Sequence, residues 1–388
     1  MPNLPISTQI SSIVPIFAGG QQEPTPLALR DHQAPRYIVG NALAGDTIAI
    51  CDYLDPGDGT GIAAALLAAQ TAGVPLTDVF VRSGTYTLAF TLDVWGSTRL
   101  WGAGRGQTIL VGDSAHRRVI AVNWTDVGYP TTLNDFTIRM PVPVAWADGT
   151  EVLSLVETTC NNVHVVFEEG RGEPVAEPTL TAVFRWTGGF EGTTNVTGCS
   201  VVNAPSNTAF DLPTAIACFD TEGSNTTGLP QTFIGCATTA GDVGFQSASG
   251  TVAFTACTSQ AAALLGIDAR TTVGSTMTGC TASLSVRGAT LPIAAFRWSG
   301  DYAYDCSTNN CNAFIGVDEE SIGAMVAFSA TAGGNNVALG NTGNGFSVGI
   351  DIGAGFDSTR AGWNGLRNGT TMVVNAGTNT EDAHNVLS

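Results

Sequence analysis

Two groups of acidic residues carry the side chains that glycosidic-bond chemistry requires. One group lies in a proline-interrupted stretch and the other in the sequence GVDEES; the members are Glu168, Glu169, Glu173 and Glu177, and Asp318, Glu319 and Glu320. A glycoside hydrolase needs two carboxylates flanking the scissile bond, one of them with a raised pKa. Adjacent acids on a loop commonly form a solvated surface instead, so these residues are candidates and not an assembled catalytic pair.

Two arginine–tryptophan pairs are candidates for binding sugars. The sequence AVFRWTG at 182–188 returns as AAFRWSG at 294–300, which gives Arg185–Trp186 and Arg297–Trp298 the same local context. Aromatic faces can stack on sugar rings, and arginine orients the polar groups of a ligand. The alternative is that each indole is a packing residue beneath a lateral loop.

Other kinds of site are not indicated. The nine cysteines do not fall into CxxC or His-x-His metal spacing, and His32, His116, His164 and His384 are far apart. The sequence GAGRG at 102–106 is not a phosphate-binding loop sequence. The sequence therefore predicts no metal and no cofactor.

Composition excludes several partners. The chain has 388 residues and a net charge of −18, and all 15 of its basic residues are arginine. Such a chain lacks the basic surface that nucleic acid needs and is repelled by anionic lipid headgroups. No apolar run reaches the roughly 18 residues of a membrane span, and the first residues lack the basic region of a signal peptide. We therefore expect neither nucleic-acid binding nor membrane insertion.

A cysteine-centred repeat indicates the architecture. VTGCS, FIGCAT, FTACTS and MTGCTA place Cys199, Cys236, Cys257 and Cys280 in one context, and Cys306 extends the series. Periods of 20–50 residues are typical of solenoids, and three short strands per repeat predict a parallel β-helix of roughly a dozen coils between about 77 and 375. The 37-residue gap after Cys199 is either one coil with an insertion or two coils.

The cysteines are predicted to form an interior column of free thiols, because stacked parallel side chains rarely meet disulfide geometry. Disulfides and a metal site are the alternatives. The apolar residue three before each cysteine has the opposite strand parity, so both point inward only if the chain bends at the intervening Gly or Ala.

The segment DPGDGTGIAAALLAAQTAG predicts a single short α-helix over 61–72, with Thr60 as its N-cap. Because the first coil of a β-helix exposes an apolar end, this helix is expected to cover it. We divide the chain into an N-terminal arm (1–50), the β-helix (51–335), and the last coils with a C-terminal tail (336–388).

The stretch from residue 55 to residue 112 resembles the N-terminal signature of the pectate-lyase-like superfamily of right-handed parallel β-helices. The matching positions are Gly84, Thr85 and Tyr86 in SGTYTL, and Gly102, Gly104, Gly106 and Thr108 in TRLWGAGRGQTILVG. This form of the signature is common in bacteriophage tailspikes and related virion fibres. The resemblance is specific for fold and weak for activity, because the superfamily spans lyases, glycosidases, adhesins and inert spikes. The calcium-binding aspartates and catalytic arginine of pectate lyases are not located in this sequence.

Three functions fit this sequence. The first is a structural and adhesive virion spike that contacts host surface polysaccharide, is held to other virion proteins through residues 1–50, and lies on the virion surface after synthesis in the host cytoplasm. The resemblance further implies a homotrimer. The second is a polysaccharide depolymerase, either a lyase or a glycoside hydrolase, and the third is a bacterial surface adhesin.

Overall fold

The computed structural model describes residues 36–72, 76–112, 118–123, 131–141, 151–168, 174–175, 180–187, 194–207, 215–221, 230–247, 250–285, 293–315 and 323–388. These residues form a right-handed parallel β-helix with one α-helix at its N-terminal end, which confirms the predicted fold class. Each coil contributes strands to three stacks, here named stacks I, II and III in the order in which the chain passes through them.

Stack I begins with the strand nearest the N-terminus and continues to the last coil. Its strands are Arg36–Asn41, Thr77–Val81, Thr98–Gly102, the first half of Thr131–Met140, the first half of Thr158–Phe167, Thr194–Thr197, Gln231–Ile234, Val252–Thr255, Thr276–Thr278, Ser307–Asn309, Val337–Leu339, Arg360–Gly362 and Glu381–Ala383. A further strand, Tyr53–Asp55, pairs with the outer edge of Arg36–Asn41.

Stack II lies beyond a tight corner from stack I. Its strands are Gly84–Leu88, Thr108–Gly112, the second halves of Thr131–Met140 and Thr158–Phe167, Ser200–Ala204, Ala237–Ala240, Thr258–Ala262, Thr281–Leu284, Asn312–Ile315, Thr342–Asn344, Gly365–Arg367 and Val386–Leu387.

Stack III closes each coil. Its strands are Leu92–Trp95, Ile120–Asn123, Glu151–Leu155, Ala182–Trp186, Ala217–Asp220, Val243–Ser247, Leu265–Val273, Ala294–Tyr304, Ala324–Phe328, Val348–Ile352 and Thr371–Asn375. Smaller elements are the pairs Ala332–Gly334 with Phe356–Asp357 and Pro174–Val175 with Ser206–Asn207, and the 3-10 turn Ala42–Ala44. Eleven strands within the described ranges make a stack of about 50 Å at the usual spacing between strands.

The helix α1 (Thr60–Ala72) covers the N-terminal end of the solenoid, as predicted. It buries Ile62, Ala65, Leu66 and Ala69 against the first strands. The predicted N-cap is wrong in detail, because Thr60 is the first helical residue. The buried carboxylate of Asp55 instead accepts hydrogen bonds from five backbone N–H groups of this turn, at Gly57, Asp58, Gly59, Gly61 and Ile62. One aspartate thus satisfies the amides that open the helix.

The boundaries of the arm and the tail differ from the divisions drawn from sequence. Arg36–Asn41 lies inside the predicted arm, yet it pairs with Thr77–Val81 and forms the first strand of stack I. At the other end, Val386–Leu387 still pairs with the preceding coil. Residues 1–35 lie outside the described residues, and the anchoring role of the arm, residues 1–50, stays a prediction.

The cysteine column exists, and it lies at the corner between stacks I and II. All nine cysteines are free and buried. The thiols of Cys257 and Cys280 donate to the carbonyl oxygens of Phe233 and Phe254 in the preceding coil. Strands on either side of the 37-residue gap pair directly, so that gap is one coil with an insertion.

The predicted bend between the two inward side chains is also present. The residue before each column cysteine has a positive φ: 61° at Gly198, 60° at Gly235, 52° at Ala256 and 61° at Gly279. A left-handed residue turns the chain by one corner, so the apolar residue and the cysteine both face the interior.

Cys306 does not belong to this column, which corrects the predicted series. Cys311 follows Cys280, because the Asn312 N–H donates to the Cys280 carbonyl oxygen. Cys306 lies at the entrance to stack I, where the Val337 N–H donates to its carbonyl oxygen. After Cys311 the corner column continues as Asn341, Asn364 and Asn385, whose side-chain amides donate to carbonyl oxygens of the preceding coil as the thiols do.

These buried thiols should not react in the native protein. Burial raises the pKa of Cys160 and of Cys218 above the usual thiol range, so almost no thiolate is present near neutral pH. We expect a thiol probe at pH 8 to label few cysteines in the native state and all nine in denaturant without reductant. Mass spectrometry that finds disulfides, or rapid labelling of the native protein, would contradict the column of free thiols.

Candidate functional site

The outer face of stack III carries a column of polar side chains. Arg185, Asp220, Gln246, Asp268 and Arg297 are register partners in five consecutive coils. The residue before each points inward, and in the first three coils it is Phe184, Phe219 and Phe245, whose rings stack with centroids 4.7 and 5.0 Å apart. Strand alternation therefore places the polar members on the outer face. The repeated FRW sequences do occupy equivalent coil positions.

Asp268 lies at the centre of this column and is fully buried. Its carboxylate accepts two hydrogen bonds from the Arg297 guanidinium, at 2.8 and 2.7 Å, one from Arg270 at 2.7 Å, and one from the Ser299 hydroxyl at 2.7 Å. Burial alone would raise the pKa of Asp268, but the hydrogen bonds and charges of Arg297 and Arg270 outweigh it and hold this pKa below its usual range. Asp268 is therefore an ionised anchor for two arginines.

The other acids of the face differ from Asp268. Asp220 is buried beside Arg185, with 3.8 Å between its Oδ2 and the arginine Nε. Asp351 follows Arg297 in the column, with Ala327 between them, and burial raises the pKa of its half-buried carboxyl group. Asp268 and Asp351 are three coils apart, about 14 Å at the usual strand spacing. Paired glycosidase carboxylates are about 5 to 9.5 Å apart, so these two do not form such a pair.

Long connections border this face. The chain leaves stack II for stack III through the residues between Ala204 and Ala217 and between Leu284 and Ala294, and it leaves stack III between Asp220 and Gln231. At the cysteine column, by contrast, two residues join stack I to stack II. Insertions are thus concentrated along both edges of stack III, where binding residues of solenoid proteins gather.

The structure separates the predicted sugar-binding pairs. The indoles of Trp186 and Trp298 lie in the core, with 1% and 0% of their surface exposed, and donate to the Thr158 carbonyl oxygen and the Thr308 hydroxyl. Neither ring presents a face to solvent in this fold. Both indoles are therefore packing residues, as in the alternative interpretation of the sequence. The Arg185 and Arg297 guanidinium groups lie on the outer face. Glycan binding at these pairs stays a prediction. In this fold only the arginines are placed to contact a glycan.

Of the predicted acids, only Glu168 lies among the described residues. It is exposed and forms an ion pair with Arg139 at 3.1 Å. The others lie outside the described residues, and their catalytic role stays a prediction; they are Glu169, Glu173, Glu177, Asp318, Glu319 and Glu320.

Sequence reasoning missed Asp268 and Asp351 because each is a single acid in an apolar strand. A signal existed in the repeat, since Asp268 in GIDAR occupies the coil position of the arginine in FRW. Recognising that Asp268 and this arginine are equivalent requires the coil register. The spacing along the sequence does not give that register when coils vary in length.

A second polar chain, partly buried, lies on the outer face of stack II and at its corner with stack I. The Asn162 amide donates to the Asp135 carboxylate at 2.7 Å, so its oxygen faces His164 Nε2, also at 2.7 Å. Nε2 must then carry the proton, and Nδ1 accepts from the Ser200 hydroxyl at 2.7 Å. Burial lowers the pKa of His164 to about 4, with a smaller contribution from the Arg105 charge.

His164 should make stability depend on pH. A histidine that is neutral in the fold to about pH 4 but titrates near 6.5 when unfolded stabilises the native state fully above pH 6.5. That contribution, on the order of 2 kcal/mol, is lost as the pH falls from 6.5 to 4. Urea titrations between pH 4 and 7 should show this loss in the wild type and a flatter profile in His164→Gln; equal slopes in both would contradict it.

Within the described part of the chain, no three His, Cys, Asp or Glu side chains are arranged to hold a metal ion. No helix there is long and apolar enough to cross a bilayer.

Comparison with known proteins finds similar folds among solved structures. Neither a family model nor a curated protein sequence matches the chain. Among solved structures, the DFA-IIIase of Arthrobacter chlorophenolicus matches with a TM-score of 0.53 at 10% identity, over 89% of this chain and 93% of that one. The catalytic domain of a GH87 alpha-1,3-glucanase in complex with tetrasaccharides matches with a TM-score of 0.53 at 12% identity, over 83% and 66%.

Tailspike protein 3 of bacteriophage CBA120 also matches, with a TM-score of 0.44 at 12% identity, over 98% of this chain and 69% of that one. At such identities these likenesses concern the fold alone. Together with the stacked parallel strands, the two matches with a TM-score of 0.53 support a right-handed parallel β-helix, the architecture that the N-terminal signature predicts.

Proposed function

We propose that this protein is a structural and adhesive virion spike that contacts host surface glycans through the outer face of stack III. One observation supports this proposal most: two guanidinium groups, those of Arg270 and Arg297, share the single carboxylate of Asp268. The cluster therefore carries excess positive charge on a chain whose net charge is −18. Rigid arginines beside a hydroxyl group suit the carboxylates and hydroxyls of bacterial surface polysaccharides.

Several further observations support the glycan assignment. The DFA-IIIase and the alpha-1,3-glucanase described above are enzymes, and the glucanase structure holds tetrasaccharides. The tailspike-like N-terminal signature supports a place on a virion, and this signature is the reason for preferring a spike to a bacterial surface adhesin. In this proposal the N-terminal arm, residues 1–50, holds the spike to the particle.

A homotrimer completes the proposal. Spikes that resemble this chain form parallel trimers, and the described surface includes exposed apolar residues such as Ile234, Val273, Tyr302 and Tyr304. Burying such residues between subunits favours association. Light scattering should give three times the 39.9 kDa chain mass at micromolar concentration, and the protein should sediment with purified particles. A stable monomer absent from particles would contradict the spike.

A depolymerase is the second candidate, and Asp351 is the observation that favours it. A carboxyl group whose pKa is raised by burial is suited to act as a general acid. Its partner would have to come from the acidic candidates outside the described residues, such as Asp318 or Glu320. If bacterial capsule is cleaved by the protein, and if Asp351→Asn or Asp318→Ala abolishes the cleavage, the depolymerase replaces the adhesive spike.

A further inference from the structure

A tryptophan with an unusual backbone conformation lies at the corner between stacks I and II, near the C-terminal end. Trp363 has φ of 59° and 68% of its surface exposed. A left-handed backbone is costly for a bulky side chain, and an exposed indole gains little from burial. Nothing about the packing of the core requires tryptophan at this position, so its selection points to a surface role.

The corner positions of neighbouring coils show what surrounds the indole. Asn310, Gly340, Trp363 and His384 occupy successive coils, all with positive φ. Backbone hydrogen bonds fix this register, since the Gly340 N–H donates to the Gly362 carbonyl oxygen and the Trp363 N–H to that of Ala383. The His384 ring stacks on one face of the indole, with the ring centroids 4.4 Å apart and the planes 18° apart.

Because His384 in the following coil covers one face of the indole, the opposite face is directed toward Gly340 in the preceding coil, and glycine has no side chain. A Cβ at Gly340 would meet only Asn310 within 4 Å, with the Asn310 Oδ1 at 2.6 Å, so the Asn310 amide forms the floor of this space and no atom of Trp363 reaches it. The backbones of Trp363 and Asn310 are two coils apart, about 9.6 Å at the usual spacing. The missing side chain therefore leaves a slot one ring thick between the indole and the Asn310 amide.

The walls of this slot define the chemistry of a guest. One wall is an aromatic face, the other ends in an amide that can donate and accept hydrogen bonds, and Leu339 at the side is 39% exposed. On the neighbouring strand Glu381 is ion-paired with Arg360, and the exposed Asp382 adds a negative charge that disfavours an anionic ligand. An uncharged pyranose, with an apolar face and hydroxyl groups at its rim, matches all of these features.

Space for adjoining residues of a saccharide exists on both sides of the corner. A cavity of about 410 Å³ lies on stack II against Phe314 and Leu366, and one of about 460 Å³ lies on stack I against Val337 and Arg360. Both volumes fall in the range of small-molecule sites. A chain of sugars that inserts one ring at the corner could therefore extend along either face.

We infer that the slot between Trp363 and Asn310 over Gly340 is a binding subsite for a neutral hexose unit of a polysaccharide. It is separate from the arginine-bearing face of stack III. The inference rests on the proposed glycan-binding function, and it assigns a second contact point to that function.

Two variants test the slot while preserving the fold. Trp363→Gly removes the indole and also its backbone strain, so the melting temperature should be unchanged or higher. Gly340→Asn keeps the indole and fills the slot with a residue that tolerates positive φ, as Asn310 does. Leu67→Ala, an exposed position on α1 at the opposite end, is the matched control.

The probes are maltohexaose, cellohexaose, mannohexaose and chitohexaose, titrated into the full chain with tryptophan fluorescence and calorimetry as readouts. We expect at least one to bind, and both slot variants to weaken it at least tenfold while Leu67→Ala does not. Wild-type binding that both variants retain would overturn the slot alone, and binding to none of the probes would also overturn it. Dissociation of an oligomer by Trp363→Gly would assign the corner to a protein interface and would equally overturn it.

Failure of the stack III proposal is distinguishable, because Arg270→Ala would then leave polysaccharide binding unchanged whatever the slot variants do.

Discussion

Asp268→Ala is expected to lower the free energy of unfolding by about 3–5 kcal/mol, among the largest effects of any single substitution in this chain. The substitution removes a carboxylate that is fully buried and accepts four hydrogen bonds. It leaves the Arg297 guanidinium, itself almost completely buried, without a counter-charge. The cost arises from that uncompensated charge more than from the lost contacts. Urea denaturation of the wild type and the variant at pH 7 measures it.

The exposed pair Arg360–Glu381 supplies the control. Its side chains are 67% and 69% exposed, so Glu381→Ala should change stability by no more than about 0.5 kcal/mol. Replacing both partners of the buried pair, Asp268→Leu with Arg297→Met, should cost less than Asp268→Ala alone. A single-variant loss below 1 kcal/mol would show that the cluster is solvated in solution and is not a rigid part of the face.

Asn341→Ala should also destabilise strongly, by about 3–5 kcal/mol. The buried Asn341 side chain accepts from the Cys311 N–H at 3.0 Å and donates to the Thr308 carbonyl oxygen at 2.9 Å. It also donates to the Asn364 side chain at 3.0 Å. Alanine removes the side-chain partner of the Cys311 N–H and of the Thr308 carbonyl oxygen, at about 1–3 kcal/mol for each, while the Asn364 oxygen still accepts from the backbone N–H of residue 341. Chemical denaturation monitored by far-UV circular dichroism would record the loss.

The column itself provides a graded test of this explanation. Cysteine occupies the equivalent position in earlier coils, and its thiol donates to the same kind of carbonyl oxygen. Asn341→Cys should therefore lose about half as much stability as Asn341→Ala. Thr342→Ala removes an exposed hydrogen bond one residue away and should cost under about 0.5 kcal/mol. Equal losses for the alanine and cysteine variants would contradict the equivalence of thiol and amide in the column.

Much of the fold could be predicted because a β-helix repeats its local rules. The bend before each cysteine and the stacked thiols follow from short sequences that recur, and the helix covering the first coil follows from one Ala- and Leu-rich segment. The continuation as asparagine was also accessible, since Asn341, Asn364 and Asn385 recur at the spacing of the shorter cysteine intervals. Cys306 was misplaced because its spacing from Cys280 falls within the range of coil lengths, and spacing alone does not distinguish one corner from another.

The candidate site was less predictable, for a physical reason. Asp268 and Arg297 are 29 residues apart and meet only because their coils are adjacent. Their contact depends on register, and insertions of variable length at the edges of stack III conceal it. The buried indoles of Trp186 and Trp298 show the same limit, because side-chain direction depends on strand parity, which a short motif does not reveal.

Polysaccharide retention combined with product analysis shows whether stack III carries an adhesive face that holds glycans without cutting them. Capsule or lipopolysaccharide from a susceptible bacterial host is immobilised, and the full chain and its Arg270→Ala variant are passed over it. We expect the wild type to be retained, Arg270→Ala to be retained at least tenfold less, and no reducing ends or unsaturated uronate to be released on long incubation. Equal retention of both proteins, or release of oligosaccharide, would contradict it.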